Sequence, residues 1–464
     1  MVDHTAGNKT AANWRPDSWK DKPVSQQIKY GDNDALAQVT EKLCQLPPLV
    51  STSEVDTLKA RIAEAQAGER FIVQGGDCAE SFSDCNADAI SQKVRSLLSL
   101  SLLVSQKTRQ PITRIGRIAG QYAKPRSELT ETQGDTTLTS YRGDLVNHVH
   151  FTESARTPDP ARMLEGYSYA SLTLNYIRSL LEGDLEELFN LDEEVNSLKA
   201  LAQHKELHQS LSNFRQAINL FHQFNGRQTA HKNLTEFYTS HEALHLHYEQ
   251  ALTRQASNGR WYNLSTHFPW VGMRTVRTDS AHLEYLRGIA NPIAIKVGPT
   301  VAADNLIDLC QWLNPTNEPG KLTLTQRFGH QDIAKTLPEM IQAIQKADLK
   351  VLWSCDPMHG NTHVSNNGYK TRDFQHIQSE LQQAFDIHKE YQSHLGAIHL
   401  EMTGQPVMEC IGSRYSIHPQ DLGKAYTSLV DPRLNLSQAF ELIDSLFINQ
   451  SQTAPNQQKN TSNS

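Results

Sequence analysis

The sequence predicts an α/β protein: a closed (β/α)8 barrel with an N-terminal arm and a two-helix insertion between its second and third strands. Three observations predict it. Short apolar runs rich in Val and Ile recur along the chain, each ending in Gly or a polar cluster. Most are followed by a helical pattern, which implies parallel strands covered by helices. Nearly every run also ends in a charged or metal-capable residue, as a barrel with its site at the C-terminal strand ends requires. An open doubly wound sheet would want a Gly-rich phosphate turn after its first strand, and "QGGDCAE" does not supply G-x-G-x-x-G.

Taken in order, residues 1–60 are Pro-punctuated ("RPDSWKDKP", "QLPPLVSTSEV") and read as an arm that packs on the barrel or on a neighbouring subunit. The barrel is expected over 61–446. Its strands are "RFIVQGGDC", "ITRIGRIAGQ", "EFYTSHE", "YNLSTHFPWVG", "IAIKVGP", "LTLTQRFG", "VLWSCDPMHG" and "AIHLEMTG". Within it, 180–233 carries Leu and Phe at helical spacing with charges between, the mark of two amphipathic helices. These either decorate the barrel or form an interface or regulatory site. Residues 447–464 are almost free of apolar side chains and read as a disordered polar tail.

Composition narrows the class. The 464 residues carry a net charge of −7, which weighs against nucleic acid as a partner. No run approaches the roughly 20 apolar residues of a membrane span, and the start lacks the apolar core of a secretory signal. Six cysteines lie scattered without a Cys-x-x-Cys pair. That usage suits a reducing cytoplasm, the expected location.

The strand ends bring cations together. Arg117, Lys124, Arg126, Arg274, Lys296 and Arg327 all fall at or just beyond them. Lys296 sits inside an apolar run, where an unpaired ammonium would cost several kcal/mol, so it is expected to face an anion in the barrel mouth. Guanidinium forks suit carboxylate and phosphate oxygens. So many cations in one cleft would repel each other unless several negative charges arrived, pointing to more than one anionic group and to two substrates. "YKTR" (Tyr369 to Arg372) could add charge. A second set differs in kind: Cys78, His359, Glu401 and Asp431 offer thiolate, imidazole and carboxylates. Mixed soft and hard donors fit Mn, Co, Fe or Zn better than Mg.

In this order, "QGGDCAESF", "RIAGQYAKPRS", "SYRGD", "SHEALHLHYE", "IANPIAIKVGP", "KLTLTQRFG", "CDPMHGNTH", "GAIHLEMTG" and "DPRLN" resemble the type II 3-deoxy-D-arabino-heptulosonate 7-phosphate (DAHP) synthases, from Trp14 to about Leu446. The resemblance implies a (β/α)8 enzyme that condenses phosphoenolpyruvate with erythrose 4-phosphate and releases phosphate, the first step of the shikimate pathway. It implies that Cys78, His359, Glu401 and Asp431 bind a divalent metal, with Mn2+ the first expectation. Arg117, Arg274, Lys296 and Arg327 would hold phosphoenolpyruvate. Lys124, Arg126 and Ser127 match the "KPRS" motif of the erythrose 4-phosphate end. Lys296, Arg117 and His359 are the expected catalytic groups, with Lys296 or a metal-bound water handling protons.

Two places depart from that family. Met273 stands before Arg274 where Glu-Arg is usual, and "GPTVAADN" replaces the usual loop after Lys296. Met273 is tolerable if the position lends only its backbone N–H to the substrate, and slowing if a carboxylate there orients water. Rival readings are another phosphoenolpyruvate–aldose phosphate synthase and a catalytically silent regulatory relative. The arm and insertion match accessory segments that imply a homo-oligomer and allow aromatic amino acid effectors or a chorismate mutase partner.

Overall fold

The computed structural model describes residues 14–182 and 236–451, except 415. The expected insertion therefore lies almost wholly outside the described residues, as does most of the polar tail.

Eight strands make the barrel: β1 (Phe71–Gly76), β2 (Ile112–Arg117), β3 (Phe237–Glu242), β4 (Phe268–Val271), β5 (Ile293–Val297), β6 (Leu322–Gln326), β7 (Leu352–Cys355) and β8 (Leu395–Thr403). Each pairs in parallel with the next, and β8 returns to β1 through Ile72↔Ala397 to Gly76↔Glu401, which closes the sheet. The Leu434–Asn435 strand extends the tip of β8.

Side-chain alternation decides what each strand offers. In β5, Ile293, Ile295 and Val297 join the cluster under the outer helices, while Ala294 joins the barrel interior. Lys296 shares the parity of Ala294 and points inward. Likewise Ile398 and Leu400 face outward and Ala397 inward, so His399 and Glu401 face the interior. Ile115 and Phe268 are interior residues too, and their parity carries Arg117 and Trp270 with them.

Helices cover the outside: α1 (Asn33–Gln45), α2 (Thr52–Gln66), α3 (Ala87–Thr108), α4 (Arg162–Glu182), α5 (Ala281–Gly288), α6 (Ala303–Leu313), α7 (Ile333–Lys346), α8 (Phe374–Glu390) and α9 (Leu436–Ser451). α2 has another task. It starts at a capping box between Ser51 and Glu54, and its Leu58, Ile62 and Ala65 pack against Ile72, Ala294, Leu352 and Ala397. Those are early residues of their strands, so α2 plugs the barrel floor and leaves the opposite end open. Ahead of α1, Trp19 is buried in the main core. None of the described helices is long and apolar enough to cross a membrane.

Candidate active site at the barrel mouth

The register at the top of β1 sets the site. Gly76 pairs with Arg117 on one side and Glu401 on the other. Its φ of +145° and a would-be Cβ only 2.7 Å from the Arg117 carbonyl exclude a side chain. Arg117 and Glu401 meet across that gap, Nη1 to Oε1 at 3.2 Å, both fully buried.

Around Glu401 the metal-capable residues collect. Ligand atoms of Cys78, Glu401 and Asp431 all lie within 4.8 Å of one another. His359 is not within that compact group, but its Nε2 is 3.2 Å from Glu401 Oε1. Asp356, at the end of β7, fixes the ring: its Oδ2 is 2.7 Å from His359 Nδ1. In the tautomer that donates Nδ1–H to Asp356, as a metal-ligating imidazole does, Nε2 presents its lone pair toward the cluster. Glu401 Oε1 itself is buried without a hydrogen-bond donor.

The surroundings set the charge state of each donor. Burial, with Asp431 and Glu401 alongside, pushes the Cys78 thiol well up, against Lys124 and Arg117. Burial would raise the Glu401 carboxyl, yet His359, Arg372, Lys124 and Arg117 hold it well below the usual range. A divalent ion among these four donors would turn the thiol into a thiolate and take the lone pairs of His359 Nε2 and Glu401 Oε1. The donor set fits a metal.

The predicted cations are all near the mouth, but they are not equivalent. Lys124 Nζ lies 2.6 Å from Cys78 Sγ and 3.3 Å from Asp431 Oδ2. Lys296 is paired with Asp356 Oδ2. Burial lowers its ammonium to about 8, with Asp356 opposing that shift and Arg117 adding to it. Arg117 and Lys296 both lie over the indole of Trp270, at 5.3 and 5.2 Å. Arg327 Nη2 donates to the His359 carbonyl at 2.6 Å. Arg274 is exposed and donates to Ser127 Oγ at 2.8 Å. Arg126 is paired with Glu131 at 2.8 Å.

These pairings correct the charge argument made from sequence. Arg117, Lys124, Lys296 and Arg126 each have a carboxylate of the chain within 4 Å. Mutual repulsion is thus partly cancelled from within, and the number of cations does not by itself count the anions bound. Asp356 and Glu401 at strand ends, with Asp431 on a loop and Glu131 on a hairpin beyond them, do the cancelling.

Met273 lies against Gly298: a Cβ at Gly298 would sit 3.0 Å from Met273 Cε. Met273 is therefore packed on the glycine that opens the loop after Lys296.

Further residues complete the site. Arg372 binds Glu401 Oε2 at 2.7 Å and the Pro432 carbonyl, so the end of "YKTR" serves a carboxylate rather than a substrate anion. Trp270 is the shared platform under two cations. His399 accepts from Arg117 Nη1 at 2.7 Å and donates from Nδ1 to Gln74 Oε1 at 2.8 Å. Arg142, in "SYRGD", is buried; its Nη1 donates to the Gln26 carbonyl at 3.3 Å. The arm reaches the mouth at this point, where Gln26 Oε1 also accepts the Arg126 N–H and Ser25 Oγ donates to the Arg274 carbonyl.

Comparison with known proteins decides the family. Residues 14–446 match the class-II DAHP synthetase family. The chain belongs to that family. It is 41% identical over 450 residues to the phospho-2-dehydro-3-deoxyheptonate aldolase of Neurospora crassa, covering 93% of each chain. To the enzyme of that name from Streptomyces coelicolor it is 41% identical over 430 residues, covering 92% of this chain and 95% of the other. The Mycolicibacterium smegmatis protein is 38% identical over 443 residues, covering 92% and 93%. A Francisella tularensis structure of the same name aligns with 88% of this chain and 95% of its own at 14% identity, with a TM-score of 0.46; no argument rests on it.

Proposed function

We propose that the residues gathered at the barrel mouth carry out the family's reaction: condensation of phosphoenolpyruvate with erythrose 4-phosphate to DAHP and phosphate. Membership of the class-II family, with curated relatives named for this activity over more than nine-tenths of the chain, makes the protein a DAHP synthase, a transferase of the shikimate pathway. The observation that carries the assignment to this site is the meeting of Cys78, Glu401 and Asp431, with His359 beside them, among buried cations.

In this reading Cys78, His359, Glu401 and Asp431 hold a divalent metal, Mn2+ first and Co2+, Fe2+ or Zn2+ as alternatives. Bound there, it would act as a Lewis acid toward the aldehyde oxygen. Arg117, Lys296, Arg327 and Arg274, with Met273 lending its backbone, receive phosphoenolpyruvate. Their charge offsets the repulsion of bringing two anions into contact. Trp270 offers its ring to both Arg117 and Lys296. Lys124, Arg126 and Ser127 take the erythrose 4-phosphate end. Carbon 3 of phosphoenolpyruvate attacks the aldehyde, and water adds at carbon 2. The resulting hemiketal phosphate then loses phosphate. Lys296, with a lowered ammonium pKa and Asp356 as its partner, moves protons during water addition. His399 and Gln74 hold the Arg117 guanidinium in place from below.

We also propose a cytoplasmic homo-oligomer, with aromatic amino acid effectors or a chorismate mutase as candidate partners of the arm and of 180–233. Phosphate release with erythrose 4-phosphate, with arabinose 5-phosphate and with no aldehyde tests the reaction. Release that requires erythrose 4-phosphate supports it. Equal release with arabinose 5-phosphate would move the chain to another acceptor, and none with any aldehyde would favour the silent relative.

A further inference from the structure

Cys78 and Asp431 are separated by more than 350 residues and reach the site on two loops, one leaving β1 and one leading into the Leu434–Asn435 strand, both of which pair with β8. Lys124 bridges the two side chains within the site; behind them, a second buried side chain ties the loops themselves. Arg433 Nη1 meets Asp77 Oδ1, the neighbour of Cys78, at 2.5 Å. Its other edge is bidentate on Glu409, Nε to Oε2 at 3.0 Å and Nη2 to Oε1 at 2.8 Å. Nη2 also donates to Thr427 Oγ1 at 2.7 Å.

Glu409 in turn organises the loop that carries Asp431. It accepts the N–H groups of Thr427 at 3.1 Å, Ser428 at 2.8 Å and Arg433 at 2.7 Å. Asp77 is tied from its other side by Lys93, Nζ to Oδ2 at 2.7 Å. Asp77 and Glu409 are 1% and 0% exposed, and Arg433 is 9% exposed. All of these bonds run between groups of the protein, which makes Lys93–Asp77–Arg433–Glu409 a relay behind the loops that carry Cys78 and Asp431.

We infer that Arg433 is a positioning residue: a planar strut that sets the separation of Cys78 Sγ and the Asp431 carboxylate and thereby the metal affinity of the site. This rests on the metal site proposed above. Geometry supports Arg over Lys. Only a guanidinium can bond two carboxylates on opposite edges at fixed spacing. Groups that orient ligands from behind commonly change metal affinity by about 10- to 100-fold.

The test is a Mn2+ titration of metal-stripped, refolded-free protein by calorimetry, with the thiolate-to-Co2+ absorption band as a second readout. Arg433→Met and Arg433→Lys are compared with Cys78→Ser and with Arg61→Met, which breaks the pairs to Glu236 and Glu64 away from the mouth. The expected result is at least tenfold weaker Mn2+ binding in Arg433→Met and a shifted or weakened Co2+ band. Arg433→Lys, the variant to read if Met does not fold, should lose at least threefold. Arg61→Met should bind as wild type does. Wild-type affinity and an unchanged band in both Arg433 variants would overturn the strut. Equal losses in Arg61→Met would also overturn it, since general destabilisation would then explain the effect. Full binding by Cys78→Ser would instead show that the metal site itself is misassigned.

Discussion

Asp356 holds His359 by one carboxylate oxygen, Oδ2 to Nδ1 at 2.7 Å, at the end of β7. The same oxygen meets the Lys296 ammonium arriving from β5. One carboxylate thus orients an imidazole toward the Cys78–Glu401–Asp431 cluster and steadies a buried lysine at the barrel mouth.

Asp356→Asn should damage both. The amide cannot fix the His359 tautomer as a carboxylate does, and it leaves Lys296 buried without a countercharge. We expect kcat to fall by about 10²-fold or more and Mn2+ affinity by about tenfold. Steady-state kinetics across a metal series checks both. Near-normal values of each would show that Asp356 is a packing residue.

Lys296 predicts a pH effect of definite sign. Burial, opposed by Asp356, brings its folded pKa to about 8, below the unfolded value of about 10.4. Between those two pH values the unfolded chain binds more protons than the native protein. The contribution of Lys296 to stability therefore increases with pH across that window. Activity runs the other way: kcat/KM for phosphoenolpyruvate should fall as pH rises past about 8 and the cation is lost. A pH–rate profile of Lys296→Arg beside wild type checks it, since the arginine keeps its charge and should remove or displace that limb.

Met273, one of the departures from the family pattern, packs against Gly298. If the position serves the substrate through its backbone, side-chain changes should alter KM more than kcat. Met273→Ala is expected to raise KM for phosphoenolpyruvate about two- to fivefold with kcat within about twofold. A tenfold gain in kcat in Met273→Glu would instead show that a carboxylate is missed here.

The floor of the barrel offers a stability test remote from the mouth. Leu58 is fully buried between α2 and the strand starts. Leu58→Ala should cost about 2–5 kcal/mol, read by chemical denaturation, with KM values unchanged.

Much of this was legible in the sequence because β-strands write their burial locally. In "IAIKVGP" the parity of Ala294 already points Lys296 into the barrel, and Cys78, His359, Glu401 and Asp431 stand out as metal-capable groups at or beyond strand ends. Pairings between distant residues were not legible. Nothing in "DPRLN" or "GGDC" says that Arg433 will meet Asp77, and the partnering of Arg117 with Glu401 depends on Gly76 lying between them in register. The count of cations overstated the free positive charge for the same reason. The helices expected over 180–233 lie beyond the described residues, apart from the end of α4.

The most direct measurement is phosphate release from phosphoenolpyruvate and erythrose 4-phosphate by chelator-stripped protein as Mn2+ is added back, with His359→Ala alongside. No release is expected without metal, with recovery in the wild type on addition and no recovery in the mutant at the same metal concentration. Release that is indifferent to metal, or a mutant that recovers as the wild type does, would contradict the proposed metal site.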